Sequence, residues 1–196
     1  MIIVKRLYMS YFPIFLDIKD KNILVVGGGS IAYQKLQKLL EFTKNITVIA
    51  KEVKYDTYIL IKDHCLTYFQ REYKSGDINN FDIVVVATDD INIQEKIYKE
   101  SRDKNILINS VDNKDYCDFI FPAFIKKGDL TITFSTNGAS PAFSKAIKNY
   151  CNSHLPPNIE DFLEKMKKLR EELPKGKERM QKFEEMVEEY FENNFN

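Results

Sequence analysis

Tryptophan is missing from these 196 residues, and histidine nearly so: His64 and His154 are the only two. They lie far apart and neither stands in a metal-ligand spacing, so no preformed zinc site is expected. Cysteine is scarce as well. Cys65, Cys117 and Cys151 are an odd number with no C-x-x-C pair, which suggests free thiols, small and apolar, in a reducing compartment. No sign of charge prevails: 29 Lys and Arg balance 29 Asp and Glu, so no broad attraction to nucleic acid is indicated. No apolar run approaches the roughly 20 residues of a membrane helix. The first ten residues carry Lys5 and Arg6 but no long apolar stretch and no small-residue cleavage site. A cytoplasmic protein without a membrane or nucleic-acid partner is therefore expected.

What is present is ordinary for a globular chain: 44% hydrophobic and 30% charged residues, enough for one or two domains with a core. Ile23-Leu24-Val25-Val26 is a short apolar run ended by three glycines and predicts a strand buried on both faces. From Ser30 onward, Ile31, Leu36, Leu39 and Leu40 share a helical face, with Lys35 and Lys38 on the wet side. Further strands are expected at 46–50, weakly at 66–69, strongly at 83–87 and again at 106–109, with a helix through Ile93, Ile97 and Tyr98. Strands alternating with helices predict an α/β fold with a parallel sheet.

After Asp112 the pattern changes. Apolar stretches at 119–125 and 130–135 flank Lys126-Lys127-Gly128-Asp129, a hairpin signal. Leu130, Ile132 and Phe134 alternate with polar residues, so that strand should bury one face, while Pro122 argues for an edge or a bulge. Ser140-Pro141 reads as an N-cap and first helical residue. Two helices are expected beyond Pro156-Pro157, the last placing Met180, Phe183, Val187, Tyr190 and Phe191 near one face.

Gly27-Gly28-Gly29-Ser30-Ile31-Ala32 matches G-x-G-x-x-A between a strand and a helix. The first glycine permits the tight turn, the second lets the backbone approach a pyrophosphate, and the small sixth residue lets helix and strand pack closely. The N–H groups near Ser30 and Ile31 would meet the phosphates. With further parallel strands behind it, this loop predicts a dinucleotide site. At the end of the second strand stand Lys51 and Glu52: Glu52 would accept from a ribose 2′-OH and favour NAD, whereas Lys51 would favour the 2′-phosphate of NADP. Of the two, NAD is preferred. Thr88 and Asp89, at the end of the strong fourth strand, are candidate cofactor neighbours; Asp89 or Asp90 could equally cap the next helix.

Taken in order, Pro13-Ile14-Phe15-Leu16, the glycine loop, Ala87-Thr88-Asp89, Asn109-Ser110-Val111-Asp112, Asp118-Phe119-Ile120-Phe121-Pro122-Ala123 and Ser135-Thr136-Asn137-Gly138-Ala139-Ser140-Pro141 resemble the precorrin-2 dehydrogenase / sirohydrochlorin ferrochelatase family of siroheme synthesis. The resemblance is strong over residues 11–150 and loose in the helical tail. It departs at Ser110, where valine is common, and at Thr136-Asn137, where Ser-Gly or Thr-Gly is frequent.

The resemblance implies a Rossmann NAD-binding domain over 1–113, a β-hairpin dimerisation region over 114–150 and a small C-terminal helical domain over 151–196, without the methyltransferase domain fused to some members. It implies oxidation of precorrin-2 to sirohydrochlorin by NAD+, followed in some members by Fe2+ insertion to give siroheme, and a homodimer. Its nucleotide-contacting pairs fall on Ser30-Ile31 and Lys51-Glu52. Asn109, Asn137, Gly138 and Ser140 are the implied substrate contacts, and Asp112 the implied catalytic carboxylate. An aspartate titrates near 3.9, so Asp112 serves as a base at neutral pH only if burial raises it. The substrate carries many carboxylates, for which Lys126, Lys127, Lys145 and Lys148 are candidate partners. A dehydrogenase without chelatase activity, and a non-catalytic NAD-responsive module, are the competing expectations.

Overall fold

The computed structural model describes residues 11–111 and 113–195. The chain separates into two compact units, one ending at Ile120 and the other beginning at Phe121.

The first unit is built on five parallel strands: β1 (Ile23–Val26), β2 (Ile46–Ile49), β3 (Thr67–Phe69), β4 (Ile83–Val86) and β5 (Leu107–Ser110). Their order across the sheet is β3-β2-β1-β4-β5. Helices α1 (Ser30–Leu40), α2 (Tyr55–Asp63) and α3 (Ile91–Ser101) follow β1, β2 and β4. Every residue of β1 and β4 is buried, as the unbroken apolar runs predict for strands covered on both faces. In register, Val26 lies between Ile49 and Val86, so the three central strands end level with one another. The core beneath them gathers Leu24, Val84, Ile97 and Ile108 with Tyr73 and Ile78 of the β3–β4 connection.

The sequence pattern assigns nothing between the second and third strands, yet α2 forms there. It buries only Thr57 and Ile61, while Tyr55 and Tyr58 stay exposed, so it carries no apolar stripe to read. Helix α3 starts on a true cap: the Asp90 carboxylate accepts from the N–H groups of Asn92 (2.9 Å) and Ile93 (3.4 Å).

In the second unit, β6 (Ala123–Lys127) and β7 (Leu130–Phe134) form an antiparallel hairpin, with Ile125 opposite Ile132. Pro122 stands just before β6, where it removes no ladder donor. Leu130, Ile132 and Phe134 are half-buried rather than buried, because one helix, α4 (Pro141–His154), is what packs on this two-stranded sheet. Ser140 caps α4, its Oγ accepting from the Phe143 N–H at 3.2 Å, and Pro141 opens the first turn. Helices α5 (Ile159–Glu172) and α6 (Lys177–Asn194) complete the unit; Phe183 and Tyr190 of α6 are buried, with Tyr190 stacked on Phe162. Met180 and Phe191 of the same expected face remain exposed.

Candidate functional site

The chain runs from β1 outward to β2 on one side of the sheet and returns to β4 on the other. Such a reversal opens a crevice beyond the carboxyl ends of the strands. Here it holds a cleft of ≈ 460 Å³ lined by residues 26–29, 49–52, 71–73 and 87–90 and by Ile93. Of the residues singled out for the cofactor, Gly27, Gly28, Gly29, Lys51, Glu52, Thr88 and Asp89 all line it.

The three glycines do different work. Gly27 has φ +118°, and a Cβ there would lie 2.2 Å from the Ala87 carbonyl oxygen. A Cβ on Gly28 would lie 2.4 Å from the Glu52 oxygen and 2.5 Å from Val53 Cγ1. Nothing stands within 4 Å of the position a Cβ would take on Gly29, the N-cap of α1. The first two glycines are therefore spent on packing, and the third leaves space open at the helix start. Backbone bonds fix the loop: Gly27 N–H donates to Ile49 O (2.9 Å) and Lys54 N–H to Gly28 O (2.9 Å). Ala32 is fully buried where helix and strand touch. The first-turn N–H groups of α1 have no intrahelical partner and make this the positive end of the helix. A pyrophosphate suits this cradle in size and charge. Lys54 adds a cation beside it, its Nζ donating to Ser30 Oγ at 2.8 Å.

At the ribose end, Lys51 and Glu52 are both exposed. Lys51 Nζ pairs with Glu72 Oε1 at 3.1 Å, which holds the ammonium above its usual range. Arg71 grips Asp77 through both guanidinium nitrogens (2.6 and 2.9 Å), which holds the Asp77 carboxyl low. Lys54, Arg71 and Glu72 were not legible as site residues. Arg71 and Glu72 enter from the loop after β3, far from the glycine motif in sequence, and no local pattern marks them.

On the β4 side, Asp89 stays exposed while Asp90 serves the helix. Gln94 is buried on α3, and its Nε2 donates to the Thr88 carbonyl (2.8 Å) and to the Val111 carbonyl (3.4 Å). It thus ties the end of β4 to the segment leaving β5.

That segment carries the expected catalytic motif. Asp112 itself lies outside the described residues. Described residues before and after it in the chain make the following hydrogen bonds. Asn109 is buried, with Nδ2 donating to the Phe119 carbonyl at 2.9 Å. Cys117 Sγ accepts from Ser110 N–H (3.2 Å) and donates to Ser110 O (3.0 Å), and burial pushes its thiol up. The Asp118 carboxylate accepts from Arg102 (2.7 and 2.8 Å) and from Ile108 N–H (2.8 Å); Arg102 keeps it below the usual carboxylate range. The buried atoms Gln94 Oε1, Asn109 Oδ1 and Ser110 Oγ have no partner among the described residues.

The remaining expected contacts belong to the second unit. Asn137 (φ +53°) and Gly138 (φ +78°) form the turn before α4, and Thr136 Oγ1 accepts from Ser140 N–H at 3.0 Å. Ser140 is thereby committed to capping. Among the described residues, no group of His, Cys, Asp and Glu could hold a metal ion, and no helix is long and apolar enough to cross a membrane.

Comparison with known proteins agrees with this geometry. Residues 14–123 match a family model described as putative NAD(P)-binding. The siroheme synthase of Buchnera aphidicola is 33% identical over 153 residues, 78% of this chain and 32% of that protein. The siroheme synthase of Ruthia magnifica is 36% identical over 148 residues, 76% of this chain and 31% of that protein. The chain thus spans about a third of the length of these relatives. A solved structure of SirC, a precorrin-2 dehydrogenase, superposes with a TM-score of 0.76 at 26% identity, covering 88% of this chain and 86% of that one. With more than half of its length matched by the family model, the chain belongs to the putative NAD(P)-binding family.

Proposed function

We propose that the chain oxidises precorrin-2 to sirohydrochlorin with NAD+ as acceptor, a step of siroheme biosynthesis. The observation that carries this reading is the glycine-lined cleft at the sheet reversal, with the pinned strand end of Asn109 and Ser110 in the same unit. The likeness to siroheme synthases and to SirC names the chemistry.

In this reading residues 27–32 hold the pyrophosphate, Glu52 takes the adenosine ribose 2′-OH, and Thr88 and Asp89 flank the cofactor where β4 ends. Bound NAD+ supplies a two-electron acceptor: the macrocycle gives up a hydride to it and a proton to a base, so NADH, H+ and sirohydrochlorin leave. Most of the rate comes from holding the donor carbon close to the acceptor ring. Asp112 is the proton acceptor, and Asn109, Asn137, Gly138 and Ser140 are the substrate contacts. The working regions are 1–113 for NAD, 114–150 for dimerisation and 151–196 for the helical end. The compartment we infer is the cytoplasm, which the free Cys65, Cys117 and Cys151 support.

A second reading adds Fe2+ insertion, with Asp112 taking the pyrrole protons as the metal enters. The siroheme synthase relatives favour it, and Fe2+ is then a substrate.

Asp112→Ala tests the assignment. Calorimetry should show unchanged NAD+ affinity, while NADH formation from precorrin-2 falls about 100-fold or more. Unchanged rates of dehydrogenation and of Fe2+ insertion would remove Asp112 from the mechanism. Incubating sirohydrochlorin with Fe2+, with and without protein, separates the two readings.

A further inference from the structure

We propose that Glu72 sets the choice between the two nicotinamide dinucleotides, by occupying the one lysine that a 2′-phosphate would need. The inference rests on the NAD(P) reading of the cleft and deepens it. NAD and NADP differ only at the adenosine ribose 2′ position, a hydroxyl in one and a phosphate in the other. A phosphate there requires cations whose donors are uncommitted, and a hydroxyl requires only an acceptor.

Two cations line this end of the cleft, Lys51 and Arg71, and both are engaged. Arg71 makes a two-point fork to Asp77, and its Nη1 also donates to the Glu72 carbonyl at 3.0 Å. Asp77 in turn accepts from Lys74 N–H at 2.7 Å. Arg71 therefore holds the loop together, with three of its five N–H donors committed within it. Lys51 donates to Glu72, at 3.1 Å, with the Glu52 charge also acting on it. With Glu52 beside it and Lys74 acting on Asp77, the corner sets Lys51, Arg71 and Lys74 against Glu52, Glu72 and Asp77. A dianionic 2′-phosphate would meet no net positive charge there, while a 2′-OH would find the Glu52 carboxylate ready to accept.

Glu72, rather than Asp77, is the residue on which this turns. The Lys51 and Glu72 side chains are 69% and 73% exposed, so their pairing contributes little to folding and can be broken without harm. Breaking it removes one negative charge and releases one positive charge in the same step.

The experiment is calorimetric titration of the whole chain with NAD+ and with NADP+. The unmodified protein should bind NAD+ the more tightly. Glu72→Gln should raise the ratio of NADP+ to NAD+ affinity about tenfold, with an unchanged melting temperature. The gain should shrink at high salt and vanish in Glu72→Gln combined with Lys51→Gln. Equal binding of both dinucleotides by the unmodified protein, or an unchanged ratio in Glu72→Gln, overturns the proposal while leaving the cofactor reading intact. Binding of neither dinucleotide overturns that reading and the proposal with it.

Discussion

Gly27 and Gly29 stand two residues apart and should respond in opposite ways to the same substitution. At Gly27 a methyl group has nowhere to go: the Ala87 carbonyl is backbone, fixed by Ala87 N–H donating to Val26 O at 2.7 Å, and φ is +118°. Both the collision and the positive φ penalise alanine. Gly27→Ala should cost about 3 kcal/mol or more in urea unfolding, with cofactor binding lost as a consequence. Gly29 has φ −80° and open space around it, so Gly29→Ala should move stability by about 0.5 kcal/mol at most. The same methyl would fill the space left for the pyrophosphate, and NAD+ affinity should fall at least tenfold in calorimetry. Equal loss of stability in both variants would mean that the third glycine, too, serves packing and not a ligand.

Between elements, a polar clasp ties β5 to the end of α3. Asp118 bridges Arg102, just past α3, and the backbone of Ile108 in β5, while Cys117 closes on Ser110. The Asp118 carboxyl sits below its unfolded value, chiefly through Arg102. A depressed carboxylate contributes its full stability above the unfolded pKa, near 3.9, and loses it as pH falls through the folded value. Asp118→Asn should therefore cost about 1.5 kcal/mol in urea unfolding at pH 7, allowing for solvent around half-exposed Arg102, and the gap between the proteins should narrow below about pH 4. A gap as large at pH 3 as at pH 7 would assign the loss to packing rather than charge. Elements of this kind also mark where the sequence can be read. The strands were plain because a parallel sheet covered on both faces demands unbroken apolar runs such as Ile83-Val84-Val85-Val86. Helix α2 was hidden because only Thr57 and Ile61 need burial. The glycine loop announced itself through local spacing, whereas Glu72 reaches Lys51 across 21 residues, from a loop after an edge strand, and no local pattern encodes such a meeting.

For the molecule as a whole, the hairpin raises the question of what completes it. Among the described residues β6 and β7 pair only with each other. An isolated two-stranded sheet is marginal in water. Leu130, Ile132 and Phe134 stay half-buried although their alternation asks for a covered face, and α4 leaves Phe143 and Tyr150 exposed. Apolar surface of this kind supports the dimerisation proposed for residues 114–150. Light scattering at micromolar concentration should give about twice the 23.0 kDa of one chain. Thr133 is the exposed residue in the middle of β7, so a charge there costs one folded chain little but must be desolvated in a strand-mediated dimer. Thr133→Glu should halve the mass while leaving the circular dichroism of the chain unchanged. A monomer before substitution would refute the dimer, and a dimer that survives Thr133→Glu would move the interface away from the hairpin.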